Sequence, residues 1–324
     1  MLTTMATAVL ASTALLAPVT AAEAGAPCVR ENLSFPAGSW QRIDMTAAEP
    51  SGRFQLALGT DTSFGSHTIR WDNGVPTDLG TPPGSFTDIN QQGDIIGSIE
   101  TDSERYYYTA YRYSGGRVTR LPGLPDTVSS SARAIAPDGT IAGSAISAAG
   151  KHTAVVWAPD NTIHALPGSG TTSDTDDIDT DGTVIGEIDD HPVRWSPGAT
   201  APDPLPAYNA GPNAGWDLTA IGGGVIAGTE NPGTGNDSDT RMLVWAPGAA
   251  PVPYGAATPL AVSATGDIAY RRPYENELWL RHDGVDHALP FGPSPYPVAT
   301  VVGINPTHTV YGNNFSTPVR WRCS

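Results

Sequence analysis

The chain has 324 residues, with 33 acidic against 17 basic side chains and a formal charge of −16. An apolar share of 39%, with 8 Trp and 11 Tyr, supplies a core and excludes wholesale disorder. The negative charge disfavours nucleic acid phosphates and anionic lipid surfaces as partners. With 36 Gly and 30 Pro, about a fifth of the chain, long helices are excluded and an all-β fold rich in turns is expected.

The first predicted element is a signal segment over residues 1–24. Residues 5–19, MATAVLASTALLAPV, form the one long apolar run, and small residues follow at Ala22 and Ala24, where cleavage is expected. No basic residue precedes the run, and it is too short for a membrane span. The protein is therefore expected to be secreted, with no membrane insertion. Its two cysteines, Cys28 and Cys323, flank almost the whole mature chain. In an oxidising compartment they are expected to pair, which requires the termini to meet. Closing so long a loop stabilises the fold by about 4–5 kcal/mol in the loop-entropy picture.

From there the chain repeats. Segments of the form Ile-x-x-x-Gly-x-Ile/Val-x-Gly appear as INQQGDIIG (89–97), IAPDGTIAG (135–143) and IDTDGTVIG (178–186), with weaker copies at 220–228, 262–270 and 304–312. The first Gly recurs at 93, 139, 182, 224 and 266, with His308 in its place in the last copy, a period close to 42. A degenerate first copy spans 43–59. Each unit carries a second marker, an aromatic followed by a Gly-containing turn and then Leu. The aromatics are Trp71, Tyr113, Trp157, Trp195, Trp245, Trp279 and Trp321. Four short runs per unit, joined by tight Gly turns, read as four antiparallel strands. Such a unit is one blade of a β-propeller, with the aromatic filling the wedge between blades.

Seven blades are expected, near 39–81, 82–124, 125–168, 169–206, 207–256, 257–291 and 292–324, with six or eight as the alternative counts. The seventh unit stops after three strands at TPVRWRCS, and PCVRENLSFP (27–36) reads as the missing fourth strand. An N-terminal strand would then close the ring and bring Cys28 beside Cys323. Residues 27–324 would form one propeller domain. TDINQQGDIIGS and RWDNGVPTDLG resemble the units of the secreted HAF-repeat proteins. That resemblance implies a secreted propeller-like fold and no defined activity.

Candidate sites are sparse. Asp177, Asp179 and Asp181 have the alternating spacing of a calcium loop, although Ile188 stands where a bidentate Glu belongs and the segment is also the repeat's own hairpin. Calcium is the one candidate cofactor; otherwise none is expected. His282, Asp283, Asp286 and His287 gather around one turn, which reads either as a small metal or acid–base site or as a solvated hairpin. Tyr106, Tyr107, Tyr108, Tyr111 and Tyr113 form a dense run. On a strand, Tyr106 and Tyr108 would share one face and, with Glu104, suit sugar binding. Arg70, Arg112, Arg194 and Arg320 each precede a blade aromatic and are expected to salt-bridge neighbouring blades. Sequons occur at Asn32, Asn236 and Asn314, and ENPGTGNDSDTR (230–241) lengthens one loop.

No Gly-x-Ser-x-Gly elbow, His-Glu-x-x-His helix or phosphate loop is present in the sequence. The expected function is a secreted, non-catalytic, monomeric recognition module that presents a loop face to an extracellular glycan or protein. The alternative is an extracellular lyase or hydrolase of propeller type, with its site at the central channel.

Overall fold

The computed structural model describes residues 25–81, 83–208, 211, 214–233, 239–272, 277–291 and 299–324. The expected signal segment and Asn236 lie outside them. The described residues form seven four-stranded antiparallel sheets and no α-helix. Strand β1 (Val29–Asn32) precedes the first complete sheet. Blade 1 contains β2 (Trp40–Ala48), β3 (Phe54–Asp61), β4 (Ser66–Asp72) and β5 (Val75–Asp78). Blade 2 contains β6 (Ser85–Ile89), β7 (Ile95–Asp102), β8 (Tyr107–Ser114) and β9 (Arg117–Arg120). Blade 3 contains β10 (Thr127–Ile135), β11 (Ile141–Ser147), β12 (His152–Trp157) and β13 (Ile163–Ala165). Blade 4 contains β14 (Ser173–Ile178), β15 (Val184–Ile188), β16 (His191–Trp195) and β17 (Asp203–Pro204). Blade 5 contains β18 (Gly215–Gly222), β19 (Val225–Asn231), β20 (Arg241–Trp245) and β21 (Val252–Pro253). Blade 6 contains β22 (Thr258–Val262), β23 (Ile268–Arg272), β24 (Glu277–His282) and β25 (Val285–Leu289).

Blade 7 contains β26 (Ala299–Ile304), β27 (Thr309–Asn314) and β28 (Thr317–Arg322), and β1 supplies its outer strand. The register Val29↔Arg322 to Asn32↔Val319 leaves Cys28 beside Cys323, and the two form a disulfide with Cα atoms 4.3 Å apart. The ring therefore closes as the missing fourth strand implied.

The repeat's markers have identifiable packing roles. Trp71, Trp157, Trp195, Trp245 and Trp321 are buried, and each donates its indole N–H to a carbonyl at the end of the preceding outer strand. Those acceptors are Ser34, Pro122, Pro167, Pro206 and Pro290, which explains the recurring Leu–Pro after each turn. A buried indole needs such a partner. The second Gly of the motif is steric: a Cβ on Gly143 would lie 2.1 Å from the Ser131 carbonyl oxygen.

Blade 6 departs from the pattern. Ile141 pairs with Trp157 in blade 3, whereas the equivalent Ile268 pairs with Arg281. Trp279 is thus two residues away from the blade aromatic position that its spacing suggested, and Arg281 occupies that position. The irregular length of the preceding unit hid this shift. The arginine expectation is also corrected. Arg194 pairs with Asp203, and Arg320 with Glu31, each within its own blade. Arg112 crosses to the next blade, where it donates to the carbonyls of Gly139 and Pro159 rather than to a carboxylate, and Arg70 likewise reaches the Gly93 turn of blade 2.

Every inner strand carries a β-bulge at the same place. The extra residues are Thr46, Thr87, Arg133, Asp176, Thr219, Leu260 and Val302. A bulge turns the extra residue away from the ladder and bends the strand. All but Thr46 line the central channel, a cavity of about 210 Å³. The bulges thus bring residues about 42 positions apart into one ring.

Candidate functional site at the channel mouth

Two aspartates follow bulges in the channel wall. Asp88 accepts the N–H of Ile89 and that of Ile135 in the next blade, at 2.8 and 2.9 Å. Asp177 repeats the arrangement with Ile178 and Ile221, at 2.8 and 2.9 Å. Each carboxylate therefore clamps two neighbouring blades. Protein displaces water around both groups and pushes their pKa values up to about 7, against the lowering effect of the N–H donors.

Above Asp177, on the face carrying the hairpins between second and third strands, blade 4 gathers acids. Asp174 and Asp176 lie on β14, Glu187 lies opposite Asp174 on β15, Asp190 sits in the following turn, and Asp217 comes from β18. Desolvation raises Glu187 to about 7, helped by Asp176, Asp190, Asp217 and Asp174. Desolvation likewise raises Asp176 to about 6; Asp217 and Asp174 add to this and Arg133 opposes it. His152 approaches Asp174 at 3.4 Å, and the His191 ring lies 5.7 Å from that of Trp216. Nothing in the sequence spacing marked this group, because its members belong to two blades and only Asp174 and Asp176 fell in the conspicuous acidic run. Partly charged carboxylates at a cavity rim can accept a cation or exchange a proton near neutral pH.

The residues expected from sequence are placed as follows. Asp179 accepts N–H groups from Thr180, Gly223 and Gly224, and Asp181 accepts that of Thr183. With Asp177 clamping Ile178 and Ile221, the three carboxylates are directed at different backbone groups. Glu104 and Tyr106 are exposed in the hairpin before β8, on the same face as the acid group. Tyr106 has a left-handed φ of 56° and precedes the strand, so it does not share a strand face with Tyr108. Tyr108 is half-buried, with its N–H on the Ser129 hydroxyl. Around the turn at 282–287, Asp286 binds Arg281 and His287 binds the Ala26 carbonyl, while His282 turns toward Asp267 and His308.

No family model and no curated protein sequence matches the chain. Solved structures do. A streptogramin B lyase superposes with a TM-score of 0.56 at 14% identity, covering 92% of this chain and 98% of that one. A catalytically inactive virginiamycin B lyase from Staphylococcus aureus, determined with quinupristin, gives 0.58 at 13%, covering 92% and 100%. YCF48 bound to D1 peptide gives 0.52 at 13%, covering 96% and 100%. At these identities the likeness establishes the seven-bladed propeller fold and nothing finer.

Proposed function

We propose that the protein is an extracellular recognition module whose acidic channel mouth takes a cationic group, the Lys or Arg side chain of a peptide or protein partner. The gathering of Asp174, Glu187, Asp190 and Asp217 around Asp176, which lines the open channel cavity, carries this reading. A cation seated there would favour the charged forms of Glu187 and Asp176, which desolvation and, to a smaller extent, the neighbouring carboxylates disfavour. Trp216 and His191 offer flat surfaces for the aliphatic stem. The disulfide fits an oxidising compartment, and among the described residues no helix is long and apolar enough to cross a membrane. Peptide binding by the YCF48 propeller is a precedent in the same fold.

Binding of Lys- and Arg-containing peptides, measured by calorimetry at two salt concentrations, tests the proposal. Affinity is expected to fall as salt rises, and to fall at least tenfold in the pair Asp176→Asn and Glu187→Gln. Binding indifferent to both changes would overturn it. A second reading, a channel enzyme using Glu187 as a proton acceptor, is supported by its pKa of about 7 and by lyases among the structural neighbours. Turnover of a bound ligand, lost in Glu187→Gln with binding retained, would favour that reading.

A further inference from the structure

On the opposite face, where the first and third turns of each blade lie, the junction of blades 6 and 7 carries a polar cluster that the repeat does not prescribe. Asp267 immediately precedes β23, His282 ends β24, and His308 lies in the turn before β27. Asp267 is buried, and its two carboxylate oxygens lie 2.8 Å from His282 Nδ1 and 2.9 Å from His308 Nδ1. The two imidazole rings lie against each other, with centroids 3.7 Å apart and planes tilted by 36°. Thr265 Oγ1 and Ser263 Oγ also donate to Asp267, at 3.0 and 3.2 Å, and Asp283 approaches His282 Nε2 at 3.5 Å.

We propose that Asp267, His282 and His308 form a binding site for a divalent transition metal of the zinc class. One donor atom from each residue lies within 4.8 Å of the others. Side-chain adjustment of the half-exposed imidazoles can close that spread to zinc's ligand distances of ~2.0–2.2 Å. Two nitrogens and one carboxylate oxygen suit zinc and its neighbours, whereas calcium and magnesium favour all-oxygen shells.

Backbone conformation supplies an independent argument. The turn position held by His308 belongs to Gly93, Gly139, Gly182 and Gly266 in other blades, all with φ between 80° and 91°. His308 adopts φ 58° there, at a cost of about 1–2 kcal/mol for a residue with a side chain. A strained residue in one blade alone, with its imidazole on a buried carboxylate and another imidazole, points to a role for the side chain. The ligands come from two blades, so an ion would tie blade 6 to blade 7. It would do so beside the ring closure, since the His308 carbonyl accepts the Cys323 N–H at 3.3 Å.

Full-length protein stripped with a chelator and dialysed provides the test. Titration with Zn²⁺ is expected to show one equivalent bound and to raise the melting temperature by several degrees, with no response to Ca²⁺. Co²⁺ should give visible absorption from a nitrogen- and oxygen-ligated ion. His308→Gly restores the repeat's own glycine, so it should fold at least as well without metal and lose zinc affinity at least tenfold. His282→Gln should show the same loss, and a variant of the exposed His164 on β13, His164→Gln, should bind normally. Failure to bind one equivalent, or undiminished binding in His308→Gly, would overturn the proposal.

Discussion

Blades 3 and 6 have the same topology and different sources of cohesion. Blade 3 keeps every repeat marker: Gly139 in the turn, Gly143 under the bulge, and Trp157 buried with its N–H on Pro122. Blade 6 keeps the turn glycine, Gly266, but has Tyr270 in place of the second Gly and Arg281 in place of the Trp. Its equivalent of the indole contact is ionic: Arg281 pairs with the buried Asp286 at 2.9 Å and lies over the Tyr254 ring. A repeat position therefore conserves a space to be filled and a polar atom to be satisfied. It does not conserve one chemistry. The substitutions gather where the N-terminal segment returns, with Gly25 and Cys28 donating to the carbonyls of Asp286 and Ala288.

Removing the covalent seam beside blade 6 should have the largest effect. A Cys28→Ser, Cys323→Ser protein is expected to lose up to about 5 kcal/mol in denaturant unfolding, because the disulfide constrains a 295-residue separation. Hydrogen exchange should rise first in β1 and β28, leaving blade 3 protected. A uniform rise would show that the seam is not a weak point.

The tryptophans sharpen the contrast. Trp157→Ala should cost about 3–5 kcal/mol, since the indole is fully buried. Trp279 is only half-buried with Arg272 stacked on its face, so Trp279→Ala should cost about 1–2 kcal/mol. Equal costs in thermal unfolding would contradict the register assignment.

Charge extends the comparison to blade 4. Asp267 and Asp286 of blade 6 have imidazole and cationic partners, whereas Glu187 is raised to about 7 among other carboxylates. A carboxyl whose folded pKa exceeds its unfolded value makes the native state bind more protons between the two. Stability attributable to Glu187 should therefore fall as pH rises from about 4.5 to 7. Glu187→Gln should flatten that slope and stabilise the protein near pH 7.5 by about 1 kcal/mol, after allowing for solvent screening. A slope unchanged in urea titrations across this range would place the strain elsewhere. Last, Arg194→Ala should cost under ~1 kcal/mol, because its pair with Asp203 is exposed and lies within one blade.

The sequence by itself determined the all-β class, the closing strand and the disulfide, and it favoured seven blades over six or eight, a count the seven sheets settle. Those features follow from local turn chemistry, a period near 42 and chain arithmetic, and all are written in contiguous residues. Even the His308 departure was visible as a break in the glycine series. Tertiary structure alone decided which side chains meet. The bulges gather the channel ring from residues roughly a blade apart, and the acid group draws on β14, β15 and β18. Asp267, His282 and His308 converge from two blades, while the conspicuous Asp177, Asp179 and Asp181 each accept backbone N–H groups. Spacing along a strand fixes a face. Propeller closure fixes which faces confront one another, and that depends on the packing of all seven sheets.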